Sequence, residues 1–265
     1  KFHKKDITIT KKMKKYKNFF VPGFCRIFKS YEISLSVIGV AIALVFSIEQ
    51  MNLIKGNVLD TYITSTELSG IMVAYIFCAF PFATVFCEDL ENKYIRYSII
   101  RGNLKKYVFS QISIIYLTSI AVMVLGTAIF LMGCRTTGPW TNESTGTLNM
   151  LLHGNYGSLL KTEHYFMYCI LYSLQMGLLS GLLSVLAAYF SLYISNRVTV
   201  LVLPLVIHQI LLETAGESMY TVLIFRAYNK PLEGDLQSFL LVCMISFVPT
   251  VVLGIMTYKK IQKRL

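Results

Sequence analysis

Residues 107–133, and again residues 165–194, contain no Asp, Glu, Lys or Arg. Charge is scarce overall, at 15% of 265 positions against 55% hydrophobic ones, too little to clothe a water-soluble fold of this size. The six cysteines, Cys25, Cys78, Cys87, Cys134, Cys169 and Cys243, fall in no C-x-x-C or Cys/His spacing, which argues against a disulfide framework or a zinc site. No G-x-x-x-x-G-K-[ST] run is present to cradle nucleotide phosphates, and neither H-E-x-x-H nor G-x-S-x-G occurs. The histidines His3, His153, His164 and His208 are widely spread. The chain is therefore expected to be no enzyme, with no catalytic residue, metal or cofactor of its own. Its first residues lack a cleavable signal-peptide pattern, so membrane entry is expected through the spans themselves.

What the sequence does have is apolar runs of membrane-crossing length, about 20 residues each. Six are expected, at 33–53, 68–87, 107–133, 165–194, 198–212 and 239–258, making an all-α polytopic membrane protein. Pro81 is expected to kink the second, while Pro204 and His208 interrupt the fifth and Pro249 the sixth. The third and fourth are long enough to tilt or to project beyond the bilayer.

The basic residues orient these spans, because Lys and Arg stay on the cytoplasmic side. Of the 25 in the chain, 20 lie in the leader, the 88–106 loop, Arg197 and the tail, and only 5 in the alternate loops. Both termini are expected in the cytoplasm. This distribution also accounts for the net charge of +11 without a nucleic-acid partner.

Two cytoplasmic stretches carry a pattern. In the leader 1–31, Tyr16, Phe19, Phe20, Phe24, Ile27, Phe28 and Tyr31 recur at three- and four-residue steps among lysines, as in a helix lying in the headgroup layer of the bilayer. The 88–106 loop opens with Glu88, Asp89 and Glu91, continues through Leu90, Tyr94, Tyr97 and Ile100, turns at Arg101-Gly102-Asn103 and closes on Lys105-Lys106. Acids first and bases last suit a helix dipole. Its apolar side chains need a surface, either the bilayer or a soluble partner.

An acid just after the second span, an amphipathic stretch, a Gly-x-x-basic turn and an immediate third span resemble the membrane subunit of an ATP-binding-cassette exporter of the type-2 permease family. With the six spans and the amphipathic leader, the resemblance covers nearly the whole chain. Lys93 stands four residues after Asp89 where many members have Gly, so either Glu88 or Asp89 is the family's acid. The resemblance implies that 88–106 is a coupling helix seated on a separate ATPase, through Glu88, Asp89, Glu91, Tyr94, Tyr97, Arg101 and Gly102. It also implies an interfacial helix at Phe24, Ile27, Phe28 and Tyr31. ATP and magnesium would then belong to the partner ATPase, and a second permease, identical or different, would complete the pathway in a bacterial plasma membrane.

Within the spans, Gln175 and His208 are the candidate pathway residues, although a neutral imidazole bonded to a neighbouring helix is the plainer account of His208. Gly177, Gly181, Ser184 and Ala188 share one helical face, which implies close packing against another helix. The sparse hydroxyls of the third and fourth spans suit an amphiphile, a drug-like molecule or an antimicrobial peptide better than an ion. Residues 134–164 form an extracellular loop with the sole tryptophan, Trp140. Residues 213–237 are expected outside as well, with the short apolar run 219–225 either dipping back into the membrane or resting on its surface. A secondary carrier, or a membrane scaffold or sensor that transports nothing, are the other classes the spans allow. The carrier would need inverted repeats and ion-binding groups that are not apparent.

Overall fold

The computed structural model describes residues 31–49, 57–67, 69–82, 84–92, 95, 103–141, 147–194, 196–215 and 222–264. In chain order the helices are α1 (Tyr31–Glu49), α2 (Val58–Glu67), α3 (Ser69–Ala79), α4 (Val85–Glu91), α5 (Leu104–Arg135), α6 (Thr147–Leu152), α7 (Gly157–Lys161), α8 (Tyr165–Phe190), α9 (Arg197–Ala215) and α10 (Asp235–Arg264), with a 3-10 turn at Val222–Phe225. Five of them, α1, α5, α8, α9 and α10, are long and apolar enough to cross a membrane, and α2 with α3, bent by 74°, makes a sixth candidate. The chain is a multi-span helical membrane protein.

Contacts define two ends. At one, the basic end, Arg197 of α9 reaches Glu88 of α4, Lys260 of α10 lies over the ring of Tyr193, and Lys105 of α5 over that of Tyr258. At the far end the first amides of α2 donate to Pro139 and Trp140 beyond α5, and the Asn155 amide donates to Ala227. The long helices run alternately between these ends. The return from α1 to α5 is made by α3, a turn at 80–82 and α4.

α8 is the centre of the bundle. Nearly three-quarters of its most apolar window is buried, against about a fifth for α9 and α10, which present Val202, Val206, Ile210, Leu240, Phe247 and Val252 to the outside. For helices in lipid this is the expected distribution, since outward apolar side chains cost nothing there. The small-residue face of α8 packs on α5 of the same chain. A Cβ on Gly177 would lie 3.3 Å from Ile120, and one on Gly181 would lie 2.7 Å from the ring of Tyr116. Ser119 and Ser184 share a hydrogen bond of 2.7 Å across the same seam. Ser119 also donates to the Cys78 carbonyl of α3. α1 closes on α5 at Gly126 and on α3 at Gly70, whose missing side chain lets the Ala43 carbonyl approach to 2.5 Å from where a Cβ would stand. α10 is tied in by Ser246, which bonds the Leu178 carbonyl of α8 at 2.8 Å and the Tyr116 hydroxyl of α5.

The helices depart from the sequence expectation in instructive places. The segment expected as one kinked span at 68–87 is α3 ending at Ala79, a turn through Pro81, and α4, so Glu88, Asp89 and Glu91 sit on a helix and not at the opening of a loop. Proline lacks an amide hydrogen and crowds the preceding turn, and here the helix restarts instead of bending. By contrast, the 30-residue α10 continues through Pro249 and α9 through Pro204. α2, in a stretch expected to be an external connection, buries Val58, Leu59, Tyr62 and Ile63. Phe24, Ile27 and Phe28 lie outside the described residues, whereas Tyr31 opens α1 with its ring exposed.

Candidate functional site

At the basic end, α4 carries three acids in three different settings. Glu88 accepts a hydrogen bond from Thr84 one turn earlier, at 2.7 Å, and pairs with Arg197 at 3.5 Å. Arg197 is largely exposed, so this pair orients the start of α9 more than it stabilises it. Asp89 is buried, 4% exposed, and accepts a hydrogen bond from the Tyr107 hydroxyl on the first turns of α5. A carboxylate out of water is tolerated only where donors meet it, and Tyr107, itself buried, is one such donor. Glu91 faces outward, accepting from the Cys87 thiol at 3.3 Å. Of the two acids left open by the sequence, Asp89 is thus the buried one, joining the second crossing to the third, and Glu88 joins it to the fifth.

Ile95 extends the same cluster. It is buried with Phe86, Tyr107, Val108, Leu192 and Ile261, which come from α4, α5, the turn after α8 and α10. Asn103 starts α5 by accepting the Lys105 amide at 2.9 Å, an N-cap that sets where the third crossing begins. Tyr94, Tyr97, Arg101 and Gly102 lie outside the described residues. Among the described residues no group of His, Cys, Asp and Glu is placed to hold a metal ion. Among the described residues, what the arrangement does is fasten one connection to several crossings.

The two candidate pathway residues occupy different settings. Gln175 is fully buried in α8, donating from Nε2 to the Ile224 carbonyl at 2.8 Å and accepting from the Tyr156 hydroxyl at 3.2 Å. It holds the turn Val222–Phe225 against the bundle. His208 of α9 is also buried, with its ring 4.9 Å from that of Tyr75 on α3, and its Nδ1 has no hydrogen-bond partner among the described residues. Arg226, just after the turn, donates to the Tyr228 hydroxyl at 2.7 Å. Burial opposes the charge of Arg226, but the Tyr228 hydrogen bond and the nearby Tyr228, Tyr172 and Glu67 outweigh it and raise its pKa.

Sequence reasoning missed Tyr107, Tyr75 and Arg226. Tyr107 was legible as the aromatic directly after Lys105-Lys106, yet nothing in spacing says that it folds back on an acid 18 residues earlier. No family model, curated protein or solved structure matches this chain.

Proposed function

We propose that this chain is the permease subunit of an ATP-driven exporter, in which segment 88–106 receives the motion of a separate ATPase. The observation that supports this reading is the fastening of α4. Asp89 to Tyr107 and Glu88 to Arg197 join the start of that segment to the third and fifth crossings, so a displacement of the segment would be passed to α5 and α9. A connection that only reversed the chain would need no buried carboxylate at its root.

In this reading the basic end faces the cytoplasm, in keeping with the 20-to-5 division of Lys and Arg. Both termini lie there, and ATP and magnesium are held by the partner. A second permease, the same chain or a related one, completes a pathway for an amphiphilic or hydrophobic cargo such as an antimicrobial peptide, a drug-like molecule or a lipid-like molecule. The segment 213–237, with its turn at Val222–Phe225 held by Gln175, forms the external gate as a re-entrant element in the plasma membrane.

The test is to purify the tagged chain from its own membrane and identify what stays bound. An ATP-hydrolysing polypeptide is expected to co-purify, and Tyr94→Glu with Tyr97→Glu is expected to release it while the permease remains folded. Recovery of the chain without any nucleotide-hydrolysing partner overturns the reading, as does retention of that partner by the double variant.

A further inference from the structure

A recess of about 490 Å³ opens between α1, α2 and the end of α5. It is far larger than the water-sized voids of a close-packed interior and lies within the range of ligand pockets. Ala41 and Phe130 form its floor, while Ile42, Val45 and Ile129 stand at its lateral edge among the outward apolar side chains of the bundle. At the far end the lining turns polar, through Asn57, Thr61, Thr137 and the Gly138 backbone. An apolar body opening sideways on the lipid-facing surface, with a polar rim at one end only, has the shape of an amphiphile.

Among the described residues, the cation next to the rim is Arg135. Arg135 donates to the Gly138 carbonyl at 3.0 Å and stacks over Trp140 at 5.6 Å, so its guanidinium is held beside the opening. The neighbouring acid, Asp60, accepts from the Asn57 side chain at 2.9 Å, so its carboxylate is already engaged at the start of α2. Gly133 leaves the recess open, since a Cβ built there meets nothing within 4 Å.

We propose that this recess binds a single-chain amphiphile with an anionic head, its acyl tail between α1 and α5 and its head at Arg135. The site requires only the bundle in a bilayer, so it stands apart from the exporter reading and is tested without an ATPase.

Trp140, the one tryptophan of the chain, lies next to the rim and reports occupancy. The full chain in phosphatidylcholine nanodiscs is titrated with lysophosphatidylglycerol bearing a brominated chain. Saturable quenching of Trp140 is expected at low mole fraction. Gly133→Leu fills the recess without a backbone clash and is expected to weaken binding by about tenfold, the equivalent of roughly two buried methylenes. Arg135→Gln is expected to reduce binding to the level of the brominated choline lysolipid. As a second readout, the probe should slow alkylation of Cys134, which lines the recess, and leave Cys87 and Cys243 unchanged in peptide mass spectrometry. Quenching that rises only in proportion to mole fraction and is untouched by Gly133→Leu overturns the proposal, and so does equal binding of the choline and glycerol lysolipids.

Discussion

At the scale of single residues, the buried acid and the buried imidazole have opposite prospects. Asp89 is met by the Tyr107 hydroxyl, and removing a partner from a buried polar group costs about 1–3 kcal/mol. Tyr107→Phe is therefore expected to lower the thermal stability of the purified protein, and a double-mutant cycle with Asp89→Asn to show coupling between the two sites. Additive effects would show that they do not act together. His208 has the reverse balance, with ring contact to Tyr75 but no hydrogen bond to Nδ1 among the described residues. Replacing it by phenylalanine keeps the ring contact and removes a polar atom whose burial costs about 1–3 kcal/mol. His208→Phe is expected to leave stability unchanged or raise it, as read by thermal unfolding in detergent.

At the scale of helices, glycine decides how closely the crossings approach. The clash at Gly70 is with the backbone carbonyl of Ala43, which cannot step aside as a side-chain tip can. Gly70→Ala is expected to destabilise the fold by about 1–3 kcal/mol, the usual cost of overpacking, whereas Gly133→Ala meets open space and is expected to be silent. Comparing the two by thermal unfolding separates steric cost from the loss of glycine itself. The turn at Val222–Phe225 depends on one side chain in the same way. Gln175→Leu removes the donor to the Ile224 carbonyl, so amide exchange over 222–230 is expected to quicken while α8 stays protected. Unchanged exchange would mean that the surrounding packing holds the turn unaided.

At the scale of the whole molecule, the alternation of ends is the property most directly open to experiment. Lys161 lies beyond the third long run and Lys263 at the end of the last, so an even number of crossings with the basic end inside places them on opposite faces of the membrane. Single cysteines at these positions are expected to react with an impermeant maleimide from outside at 161, and at 263 only after permeabilisation. Labelling of both from one side would remove the six-crossing arrangement. The weak burial of α9 and α10 belongs to this scale too, because their outward apolar faces need lipid or a second copy to cover them.

The sequence by itself determined that the chain is helical and membrane-embedded, because uncharged runs of span length have no other stable home. Its four small residues at helical steps likewise specified which face of α8 packs closely, since only that face lets two backbones approach. What only the tertiary structure decided are the relations between distant positions: the restart of the helix after Pro81, Asp89 rather than Glu88 as the buried acid, Gln175 as an anchor for the 222–225 turn, and the open space beside Gly133. Hydropathy is a property of each segment alone, and it is blind to which side chain lies across the seam. Hydrogen bonds, steric clashes and cavities are properties of pairs and of the volumes between them, so they exist only once the helices have been packed together.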